Sequence, residues 1–168
     1  MDQEFKFLCE KLKPLFNESR GICSPANDRL IAKLSELIDI NVIRVKSGEK
    51  LEDWTVPNAW ELIDSYAKVG DKIYTKDNCK LMVPFGSDSW EYQGDLLSIK
   101  SQIVTDYSKY GITPYRTSYY NDDKPVICLP PESLIGMSDD TKVKILVKTT
   151  RKSHYMSIGE AVIPGETS

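Results

Sequence analysis

Helical periodicity runs through the first 38 residues of this chain and then stops, and that break constrains its fold more than any other feature. Phe5, Leu8, Cys9, Leu12, Leu15 and Phe16 recur at helical spacing, with charged residues between them, which predicts a helix over 2–16 that is kinked or ended by Pro14. Ser24 is a good N-cap and Pro25 suits the first helical turn, so a second helix is expected over 25–38. Its apolar stripe is Leu30, Ile31, Leu34, Leu37 and Ile38. Ile40, Val42, Ile43 and Val45 then read as a strand, ended by Ser47-Gly48. Beyond it, from about Leu51 to Lys152, Tyr, Trp, Pro and β-branched residues replace the helical rhythm. The chain closes with one more strand-like stretch, 157–163.

Within the middle block, Trp60 to Ala67 reads as a strand or a short helix. Gly70-Asp71 reads as a hairpin turn before a strand from Lys72 to Thr75. Leu81–Val83 is a short strand stopped by Pro84, 85–95 a loop, and Leu96–Tyr107 a helix built on Leu96, Ile99 and Ile103. Arg116–Tyr120, Val126–Leu129 and Val143–Val147 are β-rich. The expected class is therefore α+β. An α/β-type layer made of 1–50 and 154–168 flanks an inserted β-rich domain over 51–153.

Composition excludes several functions. A net charge of −3 and a pI near 5.3 give no general attraction to nucleic acid or to an anionic membrane, and neither is an expected partner. No apolar run approaches the length of a bilayer span, and MDQEFKFLCEK lacks the basic start of a secretory signal, so a cytoplasmic location is expected. The single histidine, His154, and the scattered Cys9, Cys23, Cys79 and Cys128 form no zinc-ligand spacing. No G-x-S-x-G elbow occurs. The cysteines read as reduced, mostly buried thiols.

Several separated strings are more specific. They are Ser47-Gly48, then Asp53-Trp54-Thr55-Val56-Pro57 and Trp60, then Pro114-Tyr115-Arg116-Thr117-Ser118-Tyr119-Tyr120, then Cys128-Leu129, then Gly159-Glu160 and Ile163-Pro164-Gly165. In order and spacing, over roughly 20–166, they resemble the bacterial aminopeptidase-like proteins of the zinc-peptidase clan. Those proteins carry an inserted domain of unknown function within an α/β zinc-exopeptidase domain. Pro125-Val126-Ile127-Cys128 stands where the family has a Trp-Gly-Phe-Cys run. The resemblance implies zinc and metal-assisted peptide hydrolysis for full-length relatives. It also implies that the metal-ligating segment lies beyond Ser168. No catalytic, cofactor-binding or metal-ligating residue is therefore assigned here, and no cofactor is expected in this chain.

The family-motif positions Asp53, Trp54, Pro57, Trp60, Tyr115, Thr117, Ser118, Tyr119, Tyr120, Cys128, Gly159 and Glu160 remain the candidate site residues. For each, the structural reading is set beside a functional one. The tyrosines could face a ligand or pack on the core of the insert. Asp53, Trp54, Pro57 and Trp60 could line a pocket or form a structural corner. Glu160 could resemble a general base, but a hydrogen-bonding role at the insert junction is expected. His154 sits among Arg151 and Lys152, whose charge disfavours a protonated ring, and reads as a turn residue. The lysines alternating through 142–148 read as the solvated side of a half-buried strand. Two functions follow: a truncated or split N-terminal part of an aminopeptidase-like zinc hydrolase, not competent alone, or a stand-alone binding module derived from that family. The expected partner is a second copy or the missing peptidase portion, met through Leu30, Leu34, Leu37 and the 157–163 strand.

Overall fold

The computed structural model describes residues 3–15, 18, 20–78, 80–116 and 125–165. The chain divides into two compact units, Met1–Glu61 with Arg151–Ser168, and Leu62–Thr150. Helix and sheet occur together, as an α+β fold requires.

In the first unit, α1 covers Gln3–Leu12 and passes into a 3-10 turn at Lys13–Leu15, where Pro14 cannot continue the α-helical ladder. Helix α2 covers Pro25–Ser35. Ser24 begins it as the sequence leads one to expect: its Oγ accepts the Asn27 N–H at 3.2 Å, satisfying one of the donors orphaned at a helix start. Strand β1 (Asn41–Lys46) pairs antiparallel with β10 (Tyr155–Glu160), placing Val45 opposite Met156 and Ile43 opposite Ile158. Between them in sequence, β2 (Lys50–Leu51) and β3 (Trp54–Thr55) form a small hairpin with Glu52 at φ +52. A small core of Cys23, Val56, Ala59 and Met156, flanked by Ile22 and Val45, holds this unit together.

In the second unit, a four-stranded sheet has the order β5-β4-β9-β6, made of β4 (Ala59–Val69), β5 (Lys72–Thr75), β6 (Trp90–Asp95) and β9 (Lys142–Lys152). The two long strands β4 and β9 carry the chain between the units. Gly70, at φ +58, makes the two-residue turn that lets Val69 pair with Lys72. Along β9, Val143, Ile145 and Val147 are buried while the lysines at 142, 144 and 148 are exposed, as their alternation predicts.

Several elements differ from the sequence reading. The closing strand runs over Tyr155–Glu160 rather than 157–163, so Val162 and Ile163 follow it. Residues 90–95 are strand rather than loop. Trp90, Tyr92 and Gly94 face Val147, Ile145 and Val143, and Glu91, Gln93 and Asp95 lie on the other side. Gly94 hides the alternation, because Tyr92 folds its ring over the space a Cβ would fill and donates its hydroxyl to Asp95 O at 2.7 Å. The 96–107 helix shrinks to α3 (Leu96–Ile99) and a 3-10 turn at Lys100–Gln102. Ile103 then joins β7 (Ile103–Val104), which pairs parallel with β8 (Ile127–Cys128). Leu96, Ile99 and Ile103 are all buried, so the apolar spacing marked burial and not continuous helix. The 81–83 strand reduces to a single bridge between Met82 and Cys128. The β-rich stretch expected at 116–120 lies, beyond Arg116, outside the described residues.

Candidate functional site

Within the first unit, the family-motif positions gather at the two ends of the β1–β10 pair. Asp53 and Trp54 sit at the β2–β3 hairpin, both exposed, and Pro57 is half-buried. Trp60 is 2% exposed at the start of β4. The Asp53–Pro57 corner is hung on the 47–49 turn: Gly48 N–H donates to Val56 O at 2.8 Å, and Val56 N–H donates to Glu49 O at 2.9 Å. That is the Lys46–Tyr155 end of the β1–β10 pair. Glu160 lies at the opposite end, beside Asn41, whose Nδ2 donates to its Oε2 at 3.5 Å. Five strand steps, about 16 Å, separate the two ends. Glu160 therefore makes a hydrogen bond within its own sheet.

Gly159 has a packing role. A Cβ there would come within 3.1 Å of Ile40 Cγ2 and 3.5 Å of Ile31 Cγ2, so its absence lets α2 approach β10 closely. In the second unit, the exposed Tyr115 hydroxyl accepts the Phe85 N–H at 3.0 Å. Cys128 is fully buried. Thr117, Ser118, Tyr119 and Tyr120 lie outside the described residues.

The polar cluster that the first unit does assemble was not legible in any motif. His154 Nε2 lies 2.7 Å from Asp28 Oδ2, joining the β9–β10 turn to the first turn of α2 across 126 residues. The charged partner of His154 is thus the Asp28 carboxylate. Around it, Ser47 Oγ donates to His154 O at 2.8 Å and accepts His154 N–H at 3.0 Å. Asn27 Nδ2 donates to Ser157 O at 3.0 Å. Asp28 is missed by sequence reasoning because an acid in a first helical turn reads as an ordinary partner of the helix dipole.

Ser47 Oγ is committed in both directions to the His154 backbone. Cys23, whose thiol feels the Asp28 charge, is wholly buried; burial first, and the Asp28 charge second, push it above its ordinary value. A thiol held neutral is a poor nucleophile and a poor zinc ligand. Among the described residues, no three His, Cys, Asp or Glu side chains come together as a metal-holding group. The geometry ties a helix to a strand turn.

Burial likewise raises the Cys128 thiol, against a smaller opposing effect of Arg116. In a Cys79→Ser chain, a maleimide should label half-exposed Cys9 first and reach Cys23 and Cys128 only on unfolding. Both buried thiols prefer the neutral form in the fold. Their contribution is complete below the ordinary value of 9.0 and is lost as pH rises past it. Thermal midpoints should therefore fall less between about pH 8 and 10.5 for Cys128→Val than for the unsubstituted chain. Equal slopes, or early labelling of Cys128, would contradict this.

The described residues thus define a mixed α+β chain whose candidate site is a structural tie. A family model matches residues 9–168, and the chain belongs to that family, "Domain of unknown function (DUF4910)". A Clostridium acetobutylicum protein described as "Putative polysaccharide biosynthesis protein with aminopeptidase-like domain" is 26% identical over 157 residues, covering 92% of this chain. A crystal structure described as a "putative peptidase" from Clostridium acetobutylicum matches with a TM-score of 0.74 at 21% identity, over 94% of this chain. The chain spans 36% of the curated relative and 37% of the solved one. At that identity the structural likeness shows the fold. Among the described residues, no helix is long and apolar enough to cross a membrane.

Proposed function

We propose that this chain is the N-terminal part of a bacterial, cytoplasmic, aminopeptidase-like zinc hydrolase and does not hydrolyse peptides by itself. In this reading, 1–50 and 154–168 open the peptidase layer, and 51–153 are the inserted domain. The catalytic metal belongs to the remainder of the longer relatives. The observation that carries the reading is the coverage: nearly all of this chain aligns, yet it accounts for little more than a third of each relative.

The partner of this chain is then the missing peptidase portion, with self-association as the competing outcome. The surface in question combines the half-buried Leu30 and Leu34 of α2 and Leu37 just beyond it with Val162 and Ile163, which follow β10 and are exposed. The test is complementation. The purified chain, with and without added zinc, should leave amino-acid p-nitroanilides intact. Adding the separately expressed remainder of a longer relative should produce hydrolysis and a one-to-one complex. Zinc-dependent hydrolysis by the chain alone, or no complex with the remainder, would overturn the proposal.

A further inference from the structure

We propose that the free edge of β1 is a docking site for an extended acidic segment of a partner polypeptide, which adds to the β1–β10 sheet as a third strand. The phase of the ladder establishes which backbone groups are free. Ser47 N–H donates to His154 O at 2.8 Å, and His154 N–H donates to Ser47 Oγ at 3.0 Å, so these two residues face each other. Facing alternates along an antiparallel pair. Asn41, Ile43 and Val45 therefore direct their backbone groups at β10, and Val42, Arg44 and Lys46 direct theirs away. Two bonds from outside agree with this phase. Lys46 N–H donates to Glu49 Oε2 at 3.4 Å, and on β10 it is Ser157 O that accepts from Asn27.

The two edges of the sheet are not equivalent. On the β10 edge, Asn27 of α2 occupies the middle carbonyl, Ser157 O. On β1, Glu49 closes the Lys46 position from both sides, since its own N–H donates to Lys46 O at 3.1 Å. That leaves the N–H and C=O of Val42 and of Arg44, which have no partner among the described residues. Four consecutive backbone groups of this kind are a template for an added strand.

Charge selects the occupant. Arg44 and Lys46 are exposed and lie on one face with Val42, while β1 carries no acid. Glu49 sits at the Lys46 end, which leaves Arg44 as the deciding charge. Pairing two copies of this chain along β1 would gather two arginines and two lysines in one four-stranded sheet. Like charges across strands are destabilising, and an acid opposite Arg44 is stabilising. The exposed Ile43 and its neighbour Ile158 offer an apolar surface to β-branched residues on the other face of the incoming strand. This surface is independent of the peptidase reading and can be tested whether or not that reading holds.

The probes are three fluorescein-labelled peptides in which valine alternates with glutamate, with lysine, or with glutamate on a backbone N-methylated along one edge. Each is titrated against the 168-residue chain at low salt. The glutamate peptide should bind about tenfold more tightly than the lysine peptide, and N-methylation should remove that binding. Arg44→Glu should reverse the preference. Val42→Pro should weaken binding while a thermal melt reports an intact fold. Equal binding of the first two peptides, indifference to Arg44→Glu, no binding of the glutamate peptide at millimolar concentration, or a dimer dispersed by Val42→Pro would each overturn the proposal.

Discussion

Replacing Trp60 with alanine is expected to cost the fold about 3–5 kcal/mol, the range for removing a large aromatic from a packed interior. Trp60 is 2% exposed. The same substitution at Trp54, 40% exposed at the hairpin, should stay within about 1 kcal/mol. The two tryptophans belong to one sequence string, yet they take opposite roles. Paired urea titrations decide the matter: a large shift in midpoint for Trp60→Ala beside a small one for Trp54→Ala. Two equal shifts would mean that the string acts as one unit. Trp60→Phe should recover a good part of the loss, because it restores most of the buried apolar surface.

The second large effect concerns the tie between α2 and the β9–β10 turn. Asp28→Ala should cost about 1–3 kcal/mol, because a charge-assisted bond is lost and the His154 ring keeps a nitrogen without its partner. Both side chains are 29% exposed, which places the value toward the lower half of that range. Asp28→Asn should retain part of the bond. The double-mutant cycle with His154→Ala separates the pair from its surroundings: the double variant should cost clearly less than the sum of the two single ones. Strict additivity would mean that the two residues act independently. Removing the Asp28 charge should also lower the alkaline titration of Cys23 slightly, while burial keeps it raised. That readout distinguishes an electrostatic role from simple packing.

Both results bear on how the motif residues of this family are to be read. Gly159 and Glu160 are adjacent in a motif, but one makes room for Ile31 and Ile40 while the other holds Asn41. Tyr115 supports the Phe85 backbone, and Cys128 is interior. Gly159, Glu160, Tyr115 and Cys128 thus each have a structural task. The open backbone groups at Val42 and Arg44 belong to none of the motifs.

The sequence by itself determined the elements whose signals are local. Ser24 and Pro25 begin α2, Pro14 ends α1, Gly70-Asp71 turns β4 into β5, and the alternation of Lys with Val and Ile builds β9. In each case the cause acts over one turn or one pleat, so neighbouring residues suffice to read it. Tertiary structure alone decided the rest. Residues 90–95 are strand because β9 offers them a ladder, and Ile103 left the helical rhythm because Ile127 lay within pairing distance. His154 meets Asp28, and Asp53 and Glu160 lie at opposite ends of their strand pair, because a fold brings together or separates residues more than a hundred positions apart. Those outcomes depend on which distant strand or helix arrives beside a residue, and no local pattern of side chains encodes that arrival.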